Sequence, residues 1–406
     1  MDLHLSPEDA AFREHVRAWL AENLPRHGLH TLEERIAWQR KLYEAGFIGM
    51  GWPKEYGGAG ARPMEQAIVA SEMAHVNAPG PVNHLGLNFI GPTLIVHGTE
   101  EQKARHLQKI LSAEEIWCQL YSEPNAGSDL ASLRTNAVDA GDHWIVNGQK
   151  VWTTNGPISD WAILLARTDP NVPKHKGITC FIINMRQPGI VVRPLKQLTG
   201  GSEFSEVFIT DARVEKADVI GEVNHGWEIA QTTLGFERGG SILSRFAVYS
   251  GSLERLVQVC KSLQRNGGTA WDDPVTRQKI GQAYAELEVL RYIGLRILSG
   301  MEKGHNPGPE SAVAKLYYSE FDKRYHELVM SILGPYGTLL IGAPAELEKG
   351  MGGDAESDPS WAHDFLWSRA PTIFAGTSEI QKNIIGDRVL GLPKEVRADR
   401  LKAKAQ

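Results

Sequence analysis

Cysteine is scarce in this chain of 406 residues: Cys118, Cys180 and Cys260 are odd in number, far apart and without CxxC spacing. That excludes a disulfide framework and a cysteine-held zinc site, and no metal centre is expected. An excess of positive charge is missing as well. Lys and Arg total 43 against 49 Asp and Glu, a formal net charge of -6, and the basic residues are spread rather than clustered. Nucleic acid is therefore excluded as a partner. No apolar run approaches the roughly 20 residues of a membrane-spanning helix, "WAILLA" being a typical longest case. The opening stretch MDLHLSPEDAAFREH has neither the basic start nor the apolar core of a secretory signal. The expected setting is a reducing cytoplasm, with no membrane partner.

What is present is enough apolar material, 42% of the residues, to bury a large core in two or three units. Ser6-Pro7 predicts an N-cap with proline at the first helical position, followed by Phe12, Val16 and Leu20 on one face. "TLEERIAWQRKLYEAG" repeats the pattern and stops at Gly46, a C-cap by residue type. From Ile116 the texture changes to short β-branched and aromatic runs separated by turn residues, which predicts an antiparallel sheet reaching about Ile220. Within "HWIVNGQKVWTT", Asn147-Gly148 predicts a type I′ hairpin turn. After Gly226 long amphipathic stretches return, and "EKGMGGDAESDPS" near 348 to 360 reads as an exposed loop. The expected fold is α+β: an N-terminal all-α domain (1–115), a middle antiparallel β-sheet or barrel domain (116–225), a C-terminal helical bundle (226–395) and a tail (396–406).

Three stretches carry candidate chemistry. "YSEPNAGSDLASLRT" (121–135) gathers small residues and hydroxyls around a turn, which lets backbone amides approach a planar or anionic ligand. On composition alone it is equally a plain surface loop. "KVWTTNG" (150–156) sets Trp152 beside Thr153 and Thr154, and a lone tryptophan is more often core than cofactor wall. "FAGTSEIQ" opens a helix, with Ser378 and Gln381 spaced as a capping box.

Together these stretches resemble the acyl-CoA dehydrogenase family of flavoproteins, whose pattern runs Ser-Glu-Pro-x-Ala-Gly-Ser-Asp, then Lys-x-Trp-x-Thr-Asn, then Gly-Thr-Ser-x-Ile-Gln. All three stand here in order, and the ordered set is far more specific than any one motif. The resemblance implies FAD as cofactor, an acyl-CoA thioester as substrate, and an electron-transfer flavoprotein as acceptor. It implies that Tyr121, Ser122, Gly127, Ser128, Trp152, Thr153, Thr154, Thr377 and Glu379 stand at cofactor-contact positions. Ser128, Arg238 and Gly376 fall at positions implied to meet the substrate.

The implied reaction needs a base: the flavin takes a hydride from the β-carbon while a carboxylate removes the weakly acidic α-proton. Most relatives carry that carboxylate immediately before the C-terminal Gly-Thr, where this chain has Ala375. A subgroup that includes isovaleryl-CoA and long-chain enzymes carries it on a helix just before an arginine, and "TTLGFERGG" matches with Glu237 and Arg238. A solvated Glu-Arg dipeptide is the bland alternative. On the functional reading Glu237 is the catalytic base, and Ala375 contributes its backbone N–H to the thioester oxygen.

Two family segments that hold the FAD adenine and pyrophosphate across a subunit interface are altered. One reads "CKSLQRNGGTAWDDP", with Arg265 as the available substitute; the other reads "SILGPYG", with Ser331 and Pro335 in place of a glutamine and a glycine. The combination resembles bacterial members acting on bulky, branched or steroid side-chain acyl-CoAs, some of which pair two different subunits. A homotetramer and a heterotetramer with a paralogous subunit both fit. The expected role is a working dehydrogenase that desaturates an acyl-CoA between its α and β carbons; the alternatives are a non-catalytic partner subunit and a flavin oxidase or monooxygenase on the same fold.

Overall fold

The computed structural model describes residues 5–239, 242–265, 267–305, 308–340 and 360–393; the side chains of residues 237–239 also lie outside the described set. Five α-helices come first: α1 (Pro7–Asn23), α2 (Leu32–Glu44), α3 (Pro63–His75), α4 (Gly91–His97) and α5 (Glu100–Ser112). Their ends are set by local chemistry. Ser6 Oγ accepts the Asp9 amide at 3.1 Å ahead of Pro7. Thr31 and Glu34 form a reciprocal capping box on α2. Gly46, at φ +77°, ends α2 while Phe47 N donates back to Leu42 O at 2.9 Å. A π-helical turn, Gly86–Ile90, leads into α4.

Eight strands form one sheet: β1 (Trp117–Leu120), β2 (Asn136–Asp139), β3 (His143–Thr154), β4 (Trp161–Arg167), β5 (Ile178–Asn184), β6 (Ile190–Leu195), β7 (Phe204–Glu215) and β8 (Val219–Ile220). The order is β6-β7-β3-β2-β4-β5-β8, with β1 beside β4. Most pairs are antiparallel as expected, but β1 runs parallel to β4 and β2 meets β4 in parallel at Asn136↔Arg167, so the sheet is mixed.

Asn147-Gly148 is not a hairpin turn. Both residues lie inside the continuous strand β3, opposite a bulge on β7 where Asp211 adopts φ +46°. Asn147 spans the bulge: its Nδ2 donates to Asp211 Oδ1 and its Oδ1 accepts the Asp211 amide, each at 2.9 Å. A Cβ on Gly148 would lie 2.3 Å from Thr135 Oγ1, so close packing, not a turn, requires glycine there. The real reversal is at Gly141 (φ +96°), where Ala140 N bonds to His143 O at 2.9 Å.

The chain then enters α6 (Gly226–Gly239), α7 (Ile242–Ser262), a small hairpin of β9 (Gln264–Arg265) and β10 (Gly268–Thr269), α8 (Pro274–Glu302) and α9 (Ser311–Leu333). Two shorter helices follow, α10 (Trp361–Trp367) and α11 (Ser378–Ile384). One apolar core runs from Val16, Leu20 and Leu42 through Ile163 and Phe181 to Ile229 and Ala230, binding the early helices, the sheet and the start of α6 together. A second, among α7, α8 and α9, contains Leu256, Leu290, Phe321 and Val329. Residues 341–359, most of the loop expected near 348 to 360, and the tail 396–406 lie outside the described residues. Among the described residues no helix is long and apolar enough to cross a membrane, and no cluster of potential metal ligands occurs.

Candidate active site

The first motif leaves the end of β1 at Tyr121 and is bolted onto β3 by a buried ion pair. Lys150 Nζ is fully buried and donates to Tyr121 O at 3.1 Å and to Glu123 Oε1 at 2.9 Å. Glu123 also accepts the amides of Arg134 (2.6 Å) and Thr135 (2.9 Å), so one carboxylate ties both ends of the 121–135 loop. Val151 N donates to Ser122 O at 3.0 Å, and Arg167 fastens the far end through Ala131 O and Leu133 O. Burial pushes the Lys150 ammonium down to about 8, against the opposing pull of the Glu123 charge. Burial pushes the Glu123 carboxyl up, yet Lys150 and the hydrogen bonds outweigh it and hold it below the ordinary value. Lys150 and Glu123 were not among the expected site residues, although both sit inside the motifs. Charged residues enclosed by small and apolar ones were the signal.

Each expected position can be placed on this frame. Tyr121 is buried, and its hydroxyl donates to Thr233 Oγ1 on α6 at 3.1 Å. Thr233 Oγ1 also lies 3.0 Å from Thr93 Oγ1 on α4. Ser122 is half-buried, while Gly127 and Ser128 are exposed at the loop tip. Trp152 is 60% exposed and adopts φ +61° at an irregularity between Lys150 and Thr153, so it is not core packing. Thr153 is buried, Thr154 half-buried.

Glu237 and Arg238 fall in α6, with Glu237 one helical turn beyond Thr233, but their side chains lie outside the described residues. The hydroxyl cluster of Tyr121, Thr233 and Thr93 thus fixes α6 just ahead of the expected base.

The C-terminal loop is brought to the same region by stacked aromatics. Trp152 meets Phe204 edge-on at 6.0 Å between centroids; Phe204 stacks on Trp367 of α10 at 5.9 Å and 3°, and Trp367 contacts Phe374 at 6.5 Å. Ala375 follows at φ +54° and Gly376 at φ +90°, successive left-handed residues that turn the chain into α11. Thr377 is the N-cap of α11, its Oγ1 accepting the Ile380 amide at 3.2 Å. The expected Ser378–Gln381 capping box is not formed. Ser378 already has helical geometry and donates its hydroxyl to Glu320 Oε1 at 2.7 Å. Gln381 reaches back to the carbonyls of Ala375 (3.0 Å) and Gly376 (3.2 Å). Glu379 is exposed in the first turn.

The segment fits a flat, polar-edged cofactor. Thr153 Oγ1 and Ser205 Oγ, on residues paired across β3 and β7, are buried without a hydrogen-bond partner among the described residues. The exposed indole of Trp152 adjoins them. The altered adenine-side segments also come together: Arg265 on β9 lies with Nη1 3.5 Å from the Ser331 carbonyl at the end of α9, and exposed Pro335 begins the next turn.

Comparison with known proteins identifies the family to which this fold belongs. Three family models match in order: "Acyl-CoA dehydrogenase, N-terminal domain" over residues 6–114, "middle domain" over 118–212 and "C-terminal domain" over 224–390. The chain is 39% identical over 398 residues to acyl-CoA dehydrogenase IpdE1 of Mycobacterium tuberculosis, covering 95% of this chain and 98% of that protein. It is 40% identical to the IpdE1 of Mycolicibacterium smegmatis over 408 residues, with 95% and 98% covered. Among solved structures, the ChsE4-ChsE5 complex from Mycobacterium tuberculosis superposes with a TM-score of 0.82 at 30% identity, covering 97% of this chain and 100% of that one. The "Tcur3481-Tcur3483 steroid ACAD" gives 0.82 at 29% identity, with 97% and 100% covered. The chain therefore belongs to the acyl-CoA dehydrogenase family, FAD-dependent oxidoreductases that desaturate acyl-CoA thioesters.

Proposed function

We propose that Glu237 is the base of this dehydrogenase and that the backbone N–H of Ala375 receives the thioester oxygen. The observation that carries this reading is the meeting of four segments: the 121–128 loop, Trp152–Thr154, α6 through the Tyr121–Thr233 bond, and the Ala375–Thr377 turn through the aromatic stack. Tyr121, Ser122, Gly127, Ser128, Trp152, Thr153, Thr154, Thr377 and Glu379 would hold the cofactor, which when bound supplies the acceptor for the β-hydride. Ser128, Arg238 and Gly376 would orient the acyl-CoA. A methyl at position 375 takes no proton, so a carboxylate on α6 has to remove it, while the amide at 375 offsets charge growing on the thioester oxygen. The division of the chain near residues 115 and 225 is part of the same reading.

Glu237→Gln should retain the flavin spectrum and lose turnover. Full activity in that variant refutes the assignment.

The altered Ser331, Pro335 and Arg265 segments, and the likeness to the ChsE4-ChsE5 complex, support assembly with a paralogous subunit. A protein that is colourless alone and gains FAD only on mixing with a paralogue would instead favour a non-catalytic partner role. The likeness to a steroid ACAD supports a bulky, ring-bearing acyl group. Anaerobic bleaching of the flavin by a panel of steroid side-chain and linear acyl-CoAs tests it. Electrons would leave to an electron-transfer flavoprotein, and substrate-dependent oxygen consumption would point to an oxidase or monooxygenase. The three buried free thiols, Cys118, Cys180 and Cys260, are in keeping with a cytoplasmic setting.

A further inference from the structure

Lys315 was not singled out by any motif, and the chemistry described so far does not use it. It lies on α9, 3% exposed. A buried ammonium is costly unless its protons are taken up. Among the bonds Lys315 makes are two to carbonyls of one loop, Pro371 O at 2.8 Å and Gly376 O at 2.6 Å. From the other side Gln381, fully buried, donates to Ala375 O at 3.0 Å and Gly376 O at 3.2 Å. The four contacts fall on Pro371, Ala375 and Gly376, so α9 and α11 grip the turn by its carbonyls.

That grip explains how Ala375 keeps φ +54°. A residue with a Cβ leaves the left-handed region unless its surroundings over-determine it. The tolerance is small: a Cβ on Gly376 would lie 2.6 Å from Gln381 Nε2.

We propose that Lys315 and Gln381 are positioning residues that hold the Ala375 amide in place for the thioester oxygen. This rests on the Ala375 reading above. Neither side chain touches the reacting atoms; both act through the backbone of the turn.

The test uses the FAD-loaded protein with a non-oxidisable acyl-CoA analogue labelled at its thioester carbonyl, read by isotope-edited infrared spectroscopy. In the unaltered enzyme the carbonyl band should fall below its solution frequency, because hydrogen-bond donors weaken the C=O bond. In Lys315→Met and in Gln381→Leu the band should move back toward the solution value. Turnover with an oxidisable substrate should fall in kcat by roughly tenfold or more while KM changes little, as for loss of an interaction that strengthens in the transition state. Flavin absorbance and thermal unfolding check that each variant is folded and loaded. If Lys315→Met does not fold, Gln381→Leu, which removes no charge, decides the matter. An unaltered band and kcat in folded variants overturn the clamp. A band at the solution position in the unaltered enzyme refutes the Ala375 assignment itself, and the clamp's purpose with it.

Discussion

Replacing Lys150 by Met keeps the length of the side chain and removes its charge from a fully buried site. At 2.9 Å from Glu123 the gross attraction is about 6 kcal/mol for an effective dielectric near 20. Most of that offsets the desolvation of the two ions, so the net effect of the variant is governed by the carboxylate left behind. Removing one member of a buried pair costs about 3–5 kcal/mol. Glu123 still accepts the amides of Arg134 and Thr135, which places the expectation at the lower end, about 3 kcal/mol. For a chain of 406 residues with typical unfolding entropy this is a drop in Tm of about 4 °C. The loop anchored by Glu123 carries Ser122 and Ser128, so flavin should also be released at a lower temperature than in wild type. The assay is thermal unfolding followed in parallel by protein and flavin fluorescence. Lys150→Met/Glu123→Gln, which leaves no lone charge, should recover more than about 1 kcal/mol of the single variant's loss. A Lys150→Met protein that melts within a degree of wild type and holds its flavin equally well refutes the idea that this pair fixes the loop.

Three further outcomes follow from local geometry. Gly376→Ala forces a methyl against Gln381 at a residue with φ +90°, and should cost about 1–3 kcal/mol in unfolding free energy along with most of the turnover. Thr233→Val removes a hydroxyl that accepts from buried Tyr121 and should cost about 1 kcal/mol, with Thr233→Ser close to wild type in both stability and kcat. For buried His326 on α9, burial lowers the imidazole's affinity for a proton, but the Asp322 carboxylate 2.8 Å away and Asp364 on α10 outweigh it, and its pKa ends above the ordinary 6.5. A raised value means the stabilisation is complete below pH 6.5 and is lost as pH rises through the folded value. The Tm gap between wild type and His326→Asn should therefore narrow as pH rises past 6.5; a gap that widens contradicts the sign.

What the sequence reveals depends on how local the deciding interaction is. Ser6-Pro7 and Gly46 are readable because a cap involves residues three or four apart. Asn147-Gly148 misleads for the opposite reason. Its turn preference is outweighed by pairing with Val207 to Ala212 of β7, some sixty residues on, and by the tight approach of Thr135. The cap of α11 is a subtler miss: Thr377 and Ser378 are both capping residue types, and only the extended geometry at Thr377 (ψ 163°) decides between them. Lys150, Glu123 and Lys315 went unread because charged residues are ordinarily solvated. For Lys315, flanked by Ala312, Ala314 and Leu316 in "SAVAKLYYSEF", the apolar company was the available sign.

The strain at Ala375 carries the argument one step beyond the sequence. A methyl-bearing residue held at φ +54° gains nothing from its own side chain, so the conformation is retained for its backbone. The groups that enforce it, Lys315 and Gln381, bind carbonyls and are indifferent to what stands at position 375. Such a turn presents the same amide whether or not a carboxylate is attached to it. The proposed base can then reside on α6, one helical turn beyond Thr233, without any rebuilding of the loop proposed to receive the thioester oxygen. On this view the alanine removes one function from the turn and leaves the other intact.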